Sequence, residues 1–204
     1  MTMTSDHPAV PTTPDLRPLL GAAFDQVERF ISTTDPADAG LPTPCDEWDV
    51  DDLVGHLIAV VRRIGVVLQG LPPFSVPSMV ESTDWVGDWA HWRAETDQVL
   101  ADDAVLDLVV QVPWGTVTGA QAIGSYVGEL ATHSWDLAMA LGRSGELDES
   151  LAEAALPAIL AKIPAEPRDQ IPFGPVVEVG PEASPSERIV AWQGRDPGWR
   201  RPTA

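Results

Sequence analysis

A single cysteine, Cys45, leaves the chain without a partner for an internal disulfide, and that scarcity fits a reducing cytoplasm. No apolar run approaches the roughly eighteen residues of a membrane span, and residues 1–14 lack the basic start and apolar centre of a signal peptide. They read as a polar, flexible leader, and the expected location is cytoplasmic, with no membrane as partner. Positive charge is also scarce: 12 Lys and Arg stand against 31 Asp and Glu, a net of −19. Such a surface repels nucleic-acid phosphates and anionic lipids, so no nucleic acid is expected as a partner either. An anionic small molecule would need local positive charge, which a bound cation can supply.

What the chain does have is enough apolar content, 44% of 204 residues, to bury a core in one domain with extra segments. From Asp49 to Gln69 the residues Leu53, Leu57, Val60, Val61, Ile64, Val67 and Leu68 recur at helical spacing, with Asp49 as N-cap and Asp51 and Asp52 in the first turn. His56, three after Leu53 and four before Val60, turns inward and needs a polar partner there. A second long helix starts at Thr118, where Gln121 completes a capping box, and stops near Gly142. At roughly 100° per residue, Glu129 and His133 lie about 40° apart on one edge of its apolar stripe. Asp136, a turn beyond His133, is placed to orient an imidazole N–H.

Taken singly, these residues have plain alternatives: a hydrogen-bonded core histidine for His56, and a helix-surface pair for Glu129 and His133. Taken together, two imidazoles and a carboxylate suit zinc and similar divalent ions, provided the two helices are neighbours. His91, between Trp89 and Trp92, reads as a surface or structural residue, and His7 in the leader is assigned nothing. Cys45 reads as a small buried side chain near a helix start rather than a nucleophile. Trp48 and Trp135 read as packing residues. Tyr126, a turn before Glu129, is equally a core residue or part of the site.

The rest of the chain reads as helix around Asp15 to Ser32, loop from Thr33 to Pro44, and a proline-broken stretch from Gly70 to Pro77. Helix follows from Ser82 to Leu100, then a short β excursion within Val105–Val117. These pieces predict an all-α fold: an antiparallel four-helix bundle over residues 15–145, able to receive ligands from facing helices. Residues 146–204 form a C-terminal helix and Pro-rich extension packed on it, with a short strand expected at Val176 to Val179. A small capped helix is expected from Ser184, where Pro185 is N1 and Glu187 completes the capping box.

Two stretches resemble signatures of the actinobacterial DinB-like metal-binding proteins. One is Pro42-Thr-Pro-Cys-Asp-Glu-Trp-Asp-Val-Asp-Asp-Leu-Val-Gly-His56, and the other Glu129-Leu-Ala-Thr-His133-Ser-Trp-Asp-Leu-Ala-Met-Ala-Leu-Gly142. A third block, Phe173-Gly-Pro-Val-Val with Arg188-Ile-Val-Ala-Trp-Gln-Gly-Arg-Asp-Pro-Gly-Trp199, is similar to their C-terminal segment. The likeness extends to the metal-binding domain of mycothiol-dependent maleylpyruvate isomerases, which use a His, a Glu and a His in this order. It implies a DinB-like bundle and the metal ligands His56, Glu129 and His133. It also implies that those isomerases' additional C-terminal domain is not held here in the same form.

The function expected from this resemblance is that of a metal-dependent enzyme, transferase- or isomerase-like. It would use a low-molecular-weight thiol such as mycothiol on an electrophilic small molecule, with zinc first and nickel or iron behind it. A metal-dependent hydrolase and a non-catalytic metal- or ligand-binding protein are the alternatives. Three protein ligands leave a coordination position open for thiol, water or carbonyl. Substrate and oligomeric state are not readable from the sequence.

Overall fold

The computed structural model describes residues 14–202, so the expected leader, apart from Pro14, and His7 lie outside the described residues. Six α-helices and one two-stranded hairpin follow in order. They are α1 (Arg17–Ser32), α2 (Val50–Leu68), α3 (Trp85–Leu100), β1 (Val109–Val112), β2 (Gly115–Thr118), α4 (Gly119–Ala140), α5 (Glu149–Lys162) and α6 (Pro185–Trp192). The fold is the DinB-like all-α bundle, with α1–α4 as its body.

The bundle is antiparallel between two pairs. Trp85 Nε1 donates to Asp51 at 2.9 Å and Thr96 Oγ1 to the Val61 carbonyl at 2.8 Å, so α2 and α3 run in the same direction. Arg17 at the head of α1 reaches the Leu100 carbonyl and Asp103 beyond the tail of α3, so α1 opposes α3. Arg29 near the tail of α1 reaches the carbonyl of Glu146, just past α4, which sets α1 alongside α4 in one direction. Helices α2 and α4 therefore face each other head to tail, and the early turns of α2 meet the late turns of α4. That places His56 opposite Glu129 and His133.

Because α2 and α3 are parallel, the chain between them must return along the full length of α2. Residues 69–84 do this as a strap with a short 3-10 turn at Pro73–Ser75, whose three prolines, Pro72, Pro73 and Pro77, have no backbone N–H to donate. The strap is tied down by Arg63, which donates to the Pro77 carbonyl at 2.6 Å, and by the Val80 N–H, which donates to the Gly55 carbonyl at 3.2 Å. Gly55 permits that approach: a Cβ there would stand 2.4 Å from the Val80 oxygen. Replacing Gly55 with alanine is expected to push the strap off α2 at a cost of about 1–3 kcal/mol. Chemical denaturation reads the effect, and a variant as stable as the parent would show that the strap is not pressed on α2 as described.

Local sequence accounts for the ends of the two helices that matter most. Asp49 caps α2 in a reciprocal box with Asp52, and Thr118 caps α4 with Gln121. Helix α4 stops at Gly142 (φ 69°), where the Arg143 N–H returns to the Ala138 carbonyl at 2.7 Å and the Gly142 N–H to Met139. The β excursion is a hairpin whose two-residue turn is Pro113-Trp114. The strand expected at Val176 to Val179 is absent: this stretch makes one backbone bond, from the Val177 N–H to the Ala191 carbonyl, and has no ladder partner.

Candidate metal centre

Four segments converge around one end of the α2–α4 seam. The turn between α1 and α2 is knotted by Thr43, whose hydroxyl donates to the Trp48 carbonyl at 2.9 Å and accepts from the Cys45 N–H at 3.1 Å. Glu47 takes a left-handed conformation (φ 70°) to close this turn. The knot turns Cys45 and Trp48 toward the histidines. The Trp48 indole lies 4.8 Å from the His56 ring and 6.0 Å from the His133 ring, the latter nearly stacked.

His56 Nδ1 lies 2.7 Å from the carbonyl oxygen of Ser78 on the strap. A carbonyl only accepts, so Nδ1 carries the hydrogen and Nε2 is left with a bare lone pair. That Nε2 is buried, has no hydrogen-bond partner, and stands 3.6 Å from Glu129 Oε1. His133 is set the same way: its Nδ1 donates to Asp136 Oδ2 at 2.9 Å, which leaves its Nε2 unprotonated. Burial lowers the His133 pKa, aided by the neighbouring His56 and Arg195 and opposed by Asp136, so the ring is held neutral. Ligand atoms of His56, Glu129 and His133 all lie within 4.8 Å of one another.

Glu129 remains a carboxylate. Burial by itself would raise its pKa, but the polar neighbours His56, His133 and Arg63 outweigh that and hold it below the ordinary value. Its side chain is 23% exposed, against 10% for His56, so the trio opens outward on the glutamate side.

Behind His133 lies a clasp built on a fully buried carboxylate. Asp136 is 0% exposed and receives Arg195 Nε at 2.8 Å and Nη2 at 2.9 Å, a two-point grip on one carboxylate. Burial opposes ionisation of Asp136, yet Arg195 and then His133 prevail and keep its pKa lowered. The Cys45 thiol donates to the same Oδ2 at 3.1 Å. Burial and the Asp136 charge push that thiol up to about 12, so it is a protonated hydrogen-bond donor.

Cys45, His133 and Asp136 form a second cluster of metal-ligating residue types. Its chemistry does not suit a cation: His133 Nδ1 is spent as a donor, Asp136 is neutralised by Arg195, and the thiol keeps its proton. This second group braces the first. The donors on the His56 side point a lone pair, a carboxylate oxygen and a second imidazole at common space, which is what a divalent ion needs.

The structure thus brings together the three residues singled out in the sequence, with Asp136 in the orienting position expected for it. His91 is apart from the site, exposed and edge-on to Trp92. Tyr126 is buried in the core, and its hydroxyl has no partner. Trp48 and Cys45, read as packing residues, do pack against the core and also border the site. Ser78 and Arg195 went unread: the first acts through its backbone, which leaves no trace in the sequence. Arg195 follows Gly194 (φ 87°), where α6 ends with the Arg195 N–H on the Val190 carbonyl; the Gln-Gly-Arg sequence was the available signal.

Comparisons with known proteins agree with the fold. Residues 20–138 match the family described as mycothiol maleylpyruvate isomerase N-terminal domain. An uncharacterized protein of Mycobacterium tuberculosis, present in two strains, is 30% identical over 178 residues, covering 85% of this chain and 93% of the relative. Crystal structures of a mycothiol-dependent maleylpyruvate isomerase and of its histidine-to-alanine variant superpose with TM-scores of 0.61 and 0.60 at 17% and 16% identity. Each alignment covers 76% of this chain and 70% of the other. At that identity the likeness is one of fold.

Proposed function

The chain belongs to the mycothiol maleylpyruvate isomerase N-terminal domain family, and from that membership we propose a divalent-metal enzyme that acts with a mycothiol-like thiol on an electrophilic small molecule. His56, Glu129 and His133 are the proposed ligands, and zinc the first choice of metal. The observation that carries the reading is the buried His56 Nε2: a desolvated lone pair with no hydrogen-bond partner, aimed at a carboxylate and beside a second imidazole. Leaving such an atom unsatisfied costs free energy that a cation would recover.

Held by His56, Glu129 and His133, a divalent ion would supply the positive charge that lowers the pKa of an incoming thiol toward neutral pH. The protein's own residues do the rest. The Ser78 carbonyl and Asp136 fix both imidazoles in the one tautomer that leaves Nε2 free. Trp48 covers the ring faces and limits water on that side. Cys45 keeps its proton and so does not compete with an incoming thiol.

The test uses zinc-loaded protein, a panel of α,β-unsaturated and epoxide electrophiles, and mycothiol present or omitted. Product formed only with thiol is the expected result. Equal turnover without thiol rejects the thiol reading.

A further inference from the structure

Lys162 is the only lysine of the chain. Among the described residues it pairs with no carboxylate, whereas Arg17, Arg93, Arg143 and Arg195 each find an acid. It stands at the last residue of α5, exposed, with Nζ donating to Ser125 Oγ and lying 4.0 Å from the centre of the Trp114 ring. Trp114 comes from the turn of the β hairpin, is itself 42% exposed, and packs edge-on against Tyr126. The hairpin thus holds the lysine in place by cation–π contact rather than by neutralising it.

Ser125 and Glu129 are four residues apart on α4, so they share a face and lie about 6 Å apart along its axis. The ammonium anchored on Ser125 therefore sits one helical turn from the exposed side of Glu129; partial burial lowers its pKa to about 8, and Glu129 opposes that and favours the charged form. Other cations near the trio are committed: Arg195 grips Asp136, and Arg63 donates to the Pro77 carbonyl. On a protein of net charge −19, an anion approaching the exposed side of Glu129 meets in the Lys162 ammonium a cation that no carboxylate neutralises.

We propose that Lys162, held by Trp114 and Ser125 at the open side of the His56–Glu129–His133 trio, binds a carboxylate of the small-molecule substrate. This deepens the functional reading above and rests on it. The role is one of specificity: the ammonium selects anionic electrophiles and sets their free end away from the reacting centre, while its mount keeps it from collapsing onto Glu129.

A sole lysine makes the test chemically clean. The zinc-loaded and metal-free full chains are acetylated under limiting reagent, and modification of Lys162 is read by peptide mass spectrometry with succinate, with dimethyl succinate, or with neither. Succinate is expected to slow acetylation about fivefold, and the neutral ester to leave it unchanged. Lys162→Met is expected to weaken succinate binding about tenfold by calorimetry and to leave zinc affinity within about twofold of the parent. No protection by succinate in either form of the protein overturns the proposal, as does undiminished succinate binding by Lys162→Met. A fall in zinc affinity in that variant also overturns it, since it would make Lys162 a partner of Glu129. Failure of the parent chain to bind zinc at all overturns the metal reading instead, and the metal-free labelling still decides the role of Lys162.

Discussion

Replacing His133 with alanine is expected to strip the protein of its divalent ion, lowering affinity by about 100-fold or more; His56→Ala should do the same. Each imidazole is a prearranged donor, its far nitrogen already engaged by Asp136 or by the Ser78 carbonyl, so loss of either leaves two donors where three were set. Metal content by mass spectrometry checks the stoichiometry. A second readout is thermal: zinc should raise the melting temperature of the parent by mass action and leave the variants unmoved. His91→Ala is the control, since His91 is exposed and remote from the trio. Parent-like metal content in folded His56→Ala and His133→Ala would remove both residues from the coordination sphere.

Asp136→Ala is expected to act on stability and on metal affinity together. The substitution leaves Arg195 buried without its anion, which costs about 3–5 kcal/mol, and frees the His133 ring, which costs about 10–100-fold in affinity. The two losses can be separated. In a double variant that adds Arg195→Met, the unpaired charge is gone, and part of the stability should return while the affinity does not. The acid limb carries the same signature. Asp136 titrates below the ordinary aspartate value of 3.8 in the folded chain, so its contribution is present above that value and lost as pH falls through the lowered one. Asp136→Asn should flatten that limb. If denaturation shows Asp136→Ala to be as stable as the parent, the clasp is not the buried ion pair described.

Much of this was legible from residue order. The N-cap Asp49, the capping box at Thr118 and the stop at Gly142 mark the two helices closely, because caps and stops are local chemistry. The inward turn of His56 and the shared face of Glu129 and His133 follow from helical period alone. Their approach to one another does not: it depends on α2 and α4 running head to tail, which the parallel α2–α3 pair and its long strap bring about. That pairing is a tertiary fact, fixed by contacts such as Thr96 on the Val61 carbonyl. Backbone partners such as Ser78 are invisible for the same reason. Cys45 and Trp48 do pack as read, but their place beside the trio was not legible, because an ordinary apolar environment and the wall of a metal site call for the same residue types. The Val176 to Val179 stretch misled through propensity, which tertiary packing overrode.

The hook at Gly194 changes what the tail of the chain is for. By folding Arg195 back beneath Asp136, and with Gln193 bonded to Thr132, α6 reaches into the rear wall of α4. An engineer who trimmed the chain after α4 to obtain a minimal bundle would therefore expose a naked acid under His133. The shortened product should be harder to keep folded and a poorer host for metal, although every proposed ligand would still be present.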